Sequence, residues 1–180
     1  MTQPTHPTER LAVVLIGHGS PATDCPPQLV GELMSLEWHG HGDGRGAAHE
    51  ARAAELDARI RNWPRTARND PYKAGLEQLA AAIQLLLPAE LLAIGYNEFC
   101  RPTIAEAIGG VIAQGAARVL VIPSMLTPGG VHSEVDIPRT LEEVRRVYPE
   151  VPIEYLWPFD LQHVAALLAA HVRQAMKACP

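Results

Sequence analysis

Three side chains able to bind a metal ion or move a proton each lie in a loop that follows an apolar run. They are His18 in LAVVLIGHGSP, Glu98 in LLAIGYNEFCRP and His132 in VLVIPSMLTPGGVHSEVDIP. Imidazole is the commonest protein metal ligand and the side chain whose unperturbed titration falls near neutrality. A carboxylate beside it can share a divalent ion or accept a proton. Open α/β sheets bind their ligands at the carboxyl ends of the strands. Two histidines and a glutamate at three such ends therefore describe one site drawn from distant parts of the chain. Two of them have a plainer reading. His18 can hydrogen-bond within its own turn, and Glu98 can serve the positive end of a following helix.

The flanking residues narrow the chemistry. Gly17 and Gly19 bracket His18 and allow a tight turn with close backbone approach to a ligand. Ser20 is not in a G-x-S-x-G elbow, and no P-loop Gly-Lys-Ser/Thr follows, so serine hydrolysis is a weak alternative and phosphate cradling is not indicated. Arg101 can meet an anionic substrate or Glu98 itself. Gly129 and Gly130 make the loop before His132 permissive. Asp136 reads as the N-cap of the helix containing Pro138, and Glu134 as a solvated loop carboxylate. A second histidine group, His39, His41 and His49 with Asp43, lies in the glycine-rich stretch WHGHGDGRGAAHE. It fits either a divalent-metal site or a loop with no ligand. The arginines that follow, Arg52, Arg59, Arg61, Arg65 and Arg68, can meet carboxylates or form a solvated helix face.

The elements that must position these groups follow from periodicity. Leu11 to Ile16, Leu91 to Tyr96, Val119 to Ile122 and Val151 to Leu156 predict strands. The first and third are near-continuous Val/Ile/Leu, as in parallel sheets covered on both faces. Tyr72 to Leu87, Pro102 to Gln114, Pro138 to Tyr148 and Asp160 to Met176 predict helices, the first stopped by Pro88. The alternation implies an α/β fold of three layers, αβα, around a parallel four-stranded sheet with right-handed crossovers. The whole chain, 1–180, is expected to be one domain. Residues from about 32 to 69 form an insertion at one edge of the site, loop-like at first and then a charged helix from Glu50 to Trp63. Residues 1–9 are expected to be a flexible tail.

Bulk composition fits this scheme. The chain has 180 residues, 47% apolar and 19% charged, enough for a single buried core. Its formal charge of −5 gives a nucleic-acid partner no electrostatic support. Cys25, Cys100 and Cys179 are far apart and odd in number, which argues against a disulfide framework and for a reducing, cytoplasmic setting. The polar start, MTQPTHPTER, has no signal-peptide core, and no apolar run has the length of a membrane span.

GHGS after the first strand, Glu98 four residues before Pro102 after the second, and GGVHSEVDIP after the third together resemble the sirohydrochlorin chelatases of the CbiX/SirB type. The match runs in order over about residues 11–31 and 77–172. The resemblance implies a chelatase-like half-lobe that inserts Co2+, or Fe2+ or Ni2+ in related members, into sirohydrochlorin or a related tetrapyrrole. It implies His18 and His132 as metal-binding and catalytic histidines with Glu98 as their acidic partner. Gly17, Gly19, Ser20, Arg101, Gly129 and Gly130 are then candidates for contact with the macrocycle. It further implies a homodimer and no organic cofactor, with the divalent ion itself as substrate. Two positions depart from the pattern: Pro21 where an arginine commonly follows GHGS, and Trp157-Pro158-Phe159-Asp160 where the family often carries His-Pro. The alternative is a non-catalytic carrier of metal or tetrapyrrole with the same fold.

Overall fold

The computed structural model describes residues 10–38, 46–87 and 90–178. His39, His41, Asp43, Pro88 and Cys179 lie outside the described residues.

The four apolar runs are strands: β1 (Leu11–Gly17), β2 (Leu91–Tyr96), β3 (Arg118–Pro123) and β4 (Ile153–Tyr155). The last is shorter than its apolar run. They form one sheet in the order β2-β1-β3-β4, every pair parallel. Leaving β1, the chain goes first to one side of it (β2) and then to the other (β3). The connections from β1 and β3 therefore diverge, and this is the place where doubly wound sheets open a crevice at their carboxyl edge.

Two faces of β1 feed two cores, because side chains alternate along a strand. Ala12, Val14 and Ile16 pack against α4 (Ile104–Ala113) and α5 (Ile137–Val147) through Ile108, Val111, Leu141 and Val144. Leu15 faces the other way, against Leu76 and Ala80 of α3 (Pro71–Leu86) and Tyr96. Burying a large aliphatic side chain of this kind contributes about 1.5–3 kcal/mol, so a one-residue slip of β1 would exchange the faces and forfeit much of both cores.

The helix boundaries differ from expectation where local chemistry intervenes. Pro102 is not the first residue of α4. Thr103 caps that helix, accepting from the Glu106 backbone N–H at 3.2 Å, while the Glu106 carboxylate accepts from the Thr103 N–H at 2.8 Å. This reciprocal capping box satisfies two otherwise orphaned donors. Asp136 does not cap α5. It has helical dihedrals and makes no side-chain cap, because a turn of π-helix, His132–Asp136, already winds into α5.

The stretch read as an insertion from about 32 to 69 is preceded and entered by a helix. α1 (Pro27–Trp38) takes in residues 32–38, which were expected to be loop, and α2 (Ala47–Arg61) follows. Leu33, Leu56 and Ile60 bury against each other and against Ala22, Cys25 and Phe99. The last three belong to the loops after β1 and β2. The helix pair is thus built onto the loops that carry His18 and Glu98. The final helix, α6 (Leu161–Ala178), leaves Leu161, Leu168, Val172 and Met176 exposed on one stripe. No helix among the described residues is long and apolar enough to cross a membrane.

Candidate metal centre

The loops after β1 and β2 continue the pairing of their strands. Asn97 donates its backbone N–H to Gly17 O at 2.9 Å, and Glu98 donates to His18 O at 2.8 Å. Gly19 makes this approach possible. It has φ of +92°, and a Cβ there would lie 1.9 Å from the Glu98 carbonyl oxygen. A Cβ on Gly17 would lie 2.3 Å from Leu76 Cδ2. Both glycines thus serve close packing of protein on protein.

Glu98 is presented by a strained turn. Phe99 has φ of 56° and is the centre of a three-residue turn closed by Cys100 N–H to Glu98 O at 2.6 Å. Left-handed φ at a bulky residue costs about 1–3 kcal/mol and persists only where neighbours over-determine it. The neighbours are two arginines, one at the end of α2 and one in the loop that follows it. Arg61 donates to Asn97 O at 3.0 Å and Cys100 O at 3.1 Å. Arg65 donates to Phe99 O and, from the other side, to Ser20 O at 2.6 Å. Its charge is met by Asp70 at 2.7 Å, whose side chain is 1% exposed and which also accepts from Lys73 N–H to cap α3. These two arginines, read from sequence as substrate contacts or a solvated face, instead hold the backbone of both site loops. Their signal was the apolar cluster of Leu56, Ile60 and Phe99, which becomes visible only once the chain is folded.

His132 arrives from β3 on the π-turn. The turn is closed by the i to i+5 bond from Ile137 N–H to His132 O. Single π-turns often accompany functional residues, because the extra residue per turn redirects one side chain. Gly129, with φ of +93°, donates its N–H to Glu134 Oε1 at 3.0 Å, and Trp157 Nε1 donates to the same oxygen at 3.2 Å. Glu134 therefore ties the glycine loop to the turn after β4, where a solvated carboxylate was expected.

The three strand-end groups converge. The His18 and His132 rings meet edge to face, 4.5 Å between centroids. Glu98 lies between them, Oε2 at 3.9 Å from His18 Nε2 and Oε1 at 3.7 Å from His132 Nδ1. One ligand atom from each residue falls within 4.8 Å of the others. Nitrogen and oxygen ligands at 2.0–2.2 Å from one ion stand roughly 3.0–3.5 Å apart, so closure by less than about 2 Å would bring all three onto a first-row divalent ion. The side chains are 25–40% exposed, so an ion or a ring can reach them.

His18 is oriented by its own backbone and by α3. Its Nδ1 lies 2.8 Å from Gly19 O, and its backbone N–H donates to Tyr72 Oη at 2.8 Å. A groove of about 530 Å³ opens beside it, lined by Pro71, Tyr72, Leu76, Leu79, Ser124 and Met125. Asp136 accepts from His132 Nδ1 at 2.8 Å, a contact the capping expectation missed although the i,i+4 spacing places both on one face.

Other candidates stand elsewhere. Arg101 is turned to Glu106 and to Asn62 Oδ1 at 3.1 Å, and its expected pairing with Glu98 is not made. The Ser20 hydroxyl donates weakly to Pro21 O at 3.4 Å. Cys100 is fully buried, and burial pushes its thiol up. Gly129 and Gly130 face open space.

The CbiX family model matches residues 65–175. The sirohydrochlorin cobaltochelatase of Priestia megaterium is 40% identical over 70 residues, 39% of this chain and 22% of the relative. The sirohydrochlorin ferrochelatase of the same organism is 27% identical over 106 residues, 57% of this chain and 40% of the relative. The matched part thus spans less than half of either curated relative. Among solved structures, a CbiX protein from Marinobacter aquaeolei VT8 aligns with a TM-score of 0.53 at 16% identity, covering 93% of this chain and 97% of that one. That likeness is one of fold.

Proposed function

We propose that this chain, which belongs to the CbiX family, is a chelatase that inserts a divalent metal ion into sirohydrochlorin or a closely related tetrapyrrole. The observation that carries the proposal is the convergence of His18, Glu98 and His132 within 4.8 Å at the carboxyl edge of the sheet. The names of the curated relatives, which include a cobaltochelatase and a ferrochelatase, support Co2+ and Fe2+ as the ions to test first.

The reaction exchanges one divalent ion for the two pyrrole N–H protons of the ring. It needs a partly dehydrated ion held near the macrocycle and a base for each proton. In this reading His18 and His132 hold the incoming ion and, as it passes to the ring, their freed nitrogen lone pairs take up the two pyrrole protons, which Glu98 accepts or relays onward. Imidazole and carboxylate suit first-row ions without selecting among them. A planar ring would lie against the groove beside His18, whose wall of Tyr72, Leu76, Leu79 and Met125 is mostly apolar, with the Gly129–Gly130 loop at its other side. A homodimer belongs to the same reading and is supported by the uncovered stripe on α6. Light scattering at micromolar concentration checks it.

The test mixes purified protein with sirohydrochlorin and Co2+, Fe2+ or Ni2+ and follows the visible spectrum. Acceleration over the uncatalysed rate is expected, lost in His18→Ala and in His132→Ala. No acceleration with any ion would overturn the reading and leave the carrier alternative. Unchanged turnover in both variants would remove the site assignment.

A further inference from the structure

We infer that Asp136 is a positioning residue that holds the His132 ring with its hydrogen on Nδ1, leaving the lone pair on Nε2 for the ion. The role toward the ion rests on the chelatase reading; the tautomer does not.

The argument begins with what each atom can do. A carboxylate has no hydrogen to give, so its 2.8 Å contact with His132 Nδ1 requires that nitrogen to donate. The Asn97 amide also reaches the same nitrogen, Nδ2 at 3.0 Å. Taken alone, that contact would assign the opposite tautomer, with Nδ1 accepting. The two partners cannot both be satisfied by one state of Nδ1 unless one turns. An amide exchanges its oxygen and nitrogen by rotating its last bond, and the carboxylate has no such alternative. Asn97 therefore meets the Nδ1–H with its oxygen. Glu98 Oε1, 3.7 Å away, is too far to accept from Nδ1. Nδ1 is thus engaged by Asp136, and Nε2 has no hydrogen-bond partner among the described residues.

The placement of Asp136 fits this role. It opens α5 yet caps nothing; its Oδ2 goes to His132, and its Oδ1 lies 3.4 Å from Arg139 Nη2. The π-turn puts His132 and Asp136 four residues apart on one face, and Tyr155 Oη donates to Ser133 O at 3.1 Å to anchor the same turn. Carboxylates that accept from the second nitrogen of a metal-binding histidine fix its tautomer, and their loss typically lowers metal affinity 10- to 100-fold.

The experiment uses the full chain, metal-free, with ¹⁵N-labelled histidine at a pH above imidazole titration. Two-bond nitrogen–proton correlation reads which nitrogen of His132 carries hydrogen. Wild type and Asp136→Glu, which keeps a carboxylate on the turn, are expected to show hydrogen on Nδ1. Asp136→Leu leaves the Asn97 amide free to turn its N–H to Nδ1, so it is expected to move the hydrogen to Nε2 and to weaken Co2+ binding, read from the d–d absorption of the bound ion, by about 10- to 100-fold. Hydrogen on Nε2 in the wild type would overturn the inference, as would an unchanged tautomer or unchanged Co2+ affinity in Asp136→Leu. Should Asp136→Leu fail to fold, the wild-type spectrum alone still decides the tautomer. Failure of sirohydrochlorin metallation would leave that spectrum untouched, so the two readings fail separately.

Discussion

Gly19→Ala tests whether the two loops of the site are held as closely as described. A Cβ at this position would sit 1.9 Å from the Glu98 carbonyl oxygen, where real Cβ contacts stay beyond 3.0 Å. The loops must part by about 1.1 Å to admit it, stretching the 2.8 Å bond from Glu98 N–H to His18 O to about 3.9 Å, beyond hydrogen-bonding distance. Loss of that bond costs about 0.5–1.5 kcal/mol, and an L-residue held at φ of +92° adds roughly 1–2 kcal/mol. The expected destabilisation is therefore about 1.5–3.5 kcal/mol, a fall in Tm of roughly 3–14 °C for a chain of this size. Because Glu98 moves with its backbone, Co2+ binding should weaken as well. Gly31→Ala is the control: it lies in α1 with nothing within 4 Å, and a helical glycine replaced by alanine should gain up to about 1 kcal/mol. Thermal unfolding by circular dichroism and a Co2+ titration read both effects. A Gly19→Ala protein with the wild-type Tm and Co2+ affinity would refute the close packing of the His18 and Glu98 loops.

Arg65→Met should destabilise the protein by about 3–5 kcal/mol in urea unfolding, because it leaves Asp70 buried without its partner. Arg65→Lys should recover only part of this, since an ammonium cannot reproduce the fork that bridges Ser20, Phe99 and Asp70. Alkaline unfolding should involve Tyr155, whose phenol is pushed up to about 12 chiefly by burial. The neutral phenol is the form the folded state favours. Its stabilising effect is therefore complete below the ordinary tyrosine value of 10.0 and disappears as pH rises from there through about 12. Tyr155→Phe should flatten stability against pH in that window, as followed by denaturant midpoints at pH 9 to 12.

The strand-end placement of His18, Glu98 and His132 was legible in the chain because it depends on local facts. Near-continuous Val, Ile and Leu runs specify buried parallel strands, and a polar residue just past such a run falls at the carboxyl edge. The same periodicity gave α3 and α5 nearly to their ends. The sequence also carried the ordered GHGS, Glu98 and GGVHSEVDIP segments, which depend on order alone and need no geometry.

What the tertiary structure decided were pairings across long separations, for which a single chain carries no local signal. Arg61 and Arg65 read as substrate contacts or surface charge until α2 is placed against the loops 97–100 and 18–22; there they donate to the carbonyls of Asn97, Cys100, Phe99 and Ser20, which makes them structural. Arg101 read as a substrate contact because it follows Glu98, yet the Glu106 carboxylate that closes the α4 capping box also draws its guanidinium away. Asp136 read as an N-cap because helix starts favour aspartate, but the π-turn had already supplied helical backbone ahead of it and freed its carboxylate for His132. Local periodicity determined the four strands and the helices α3 to α6 to within a few residues. Which charge meets which partner, and so which side chains stand close enough to share an ion, depended on the fold bringing the three loops to one edge.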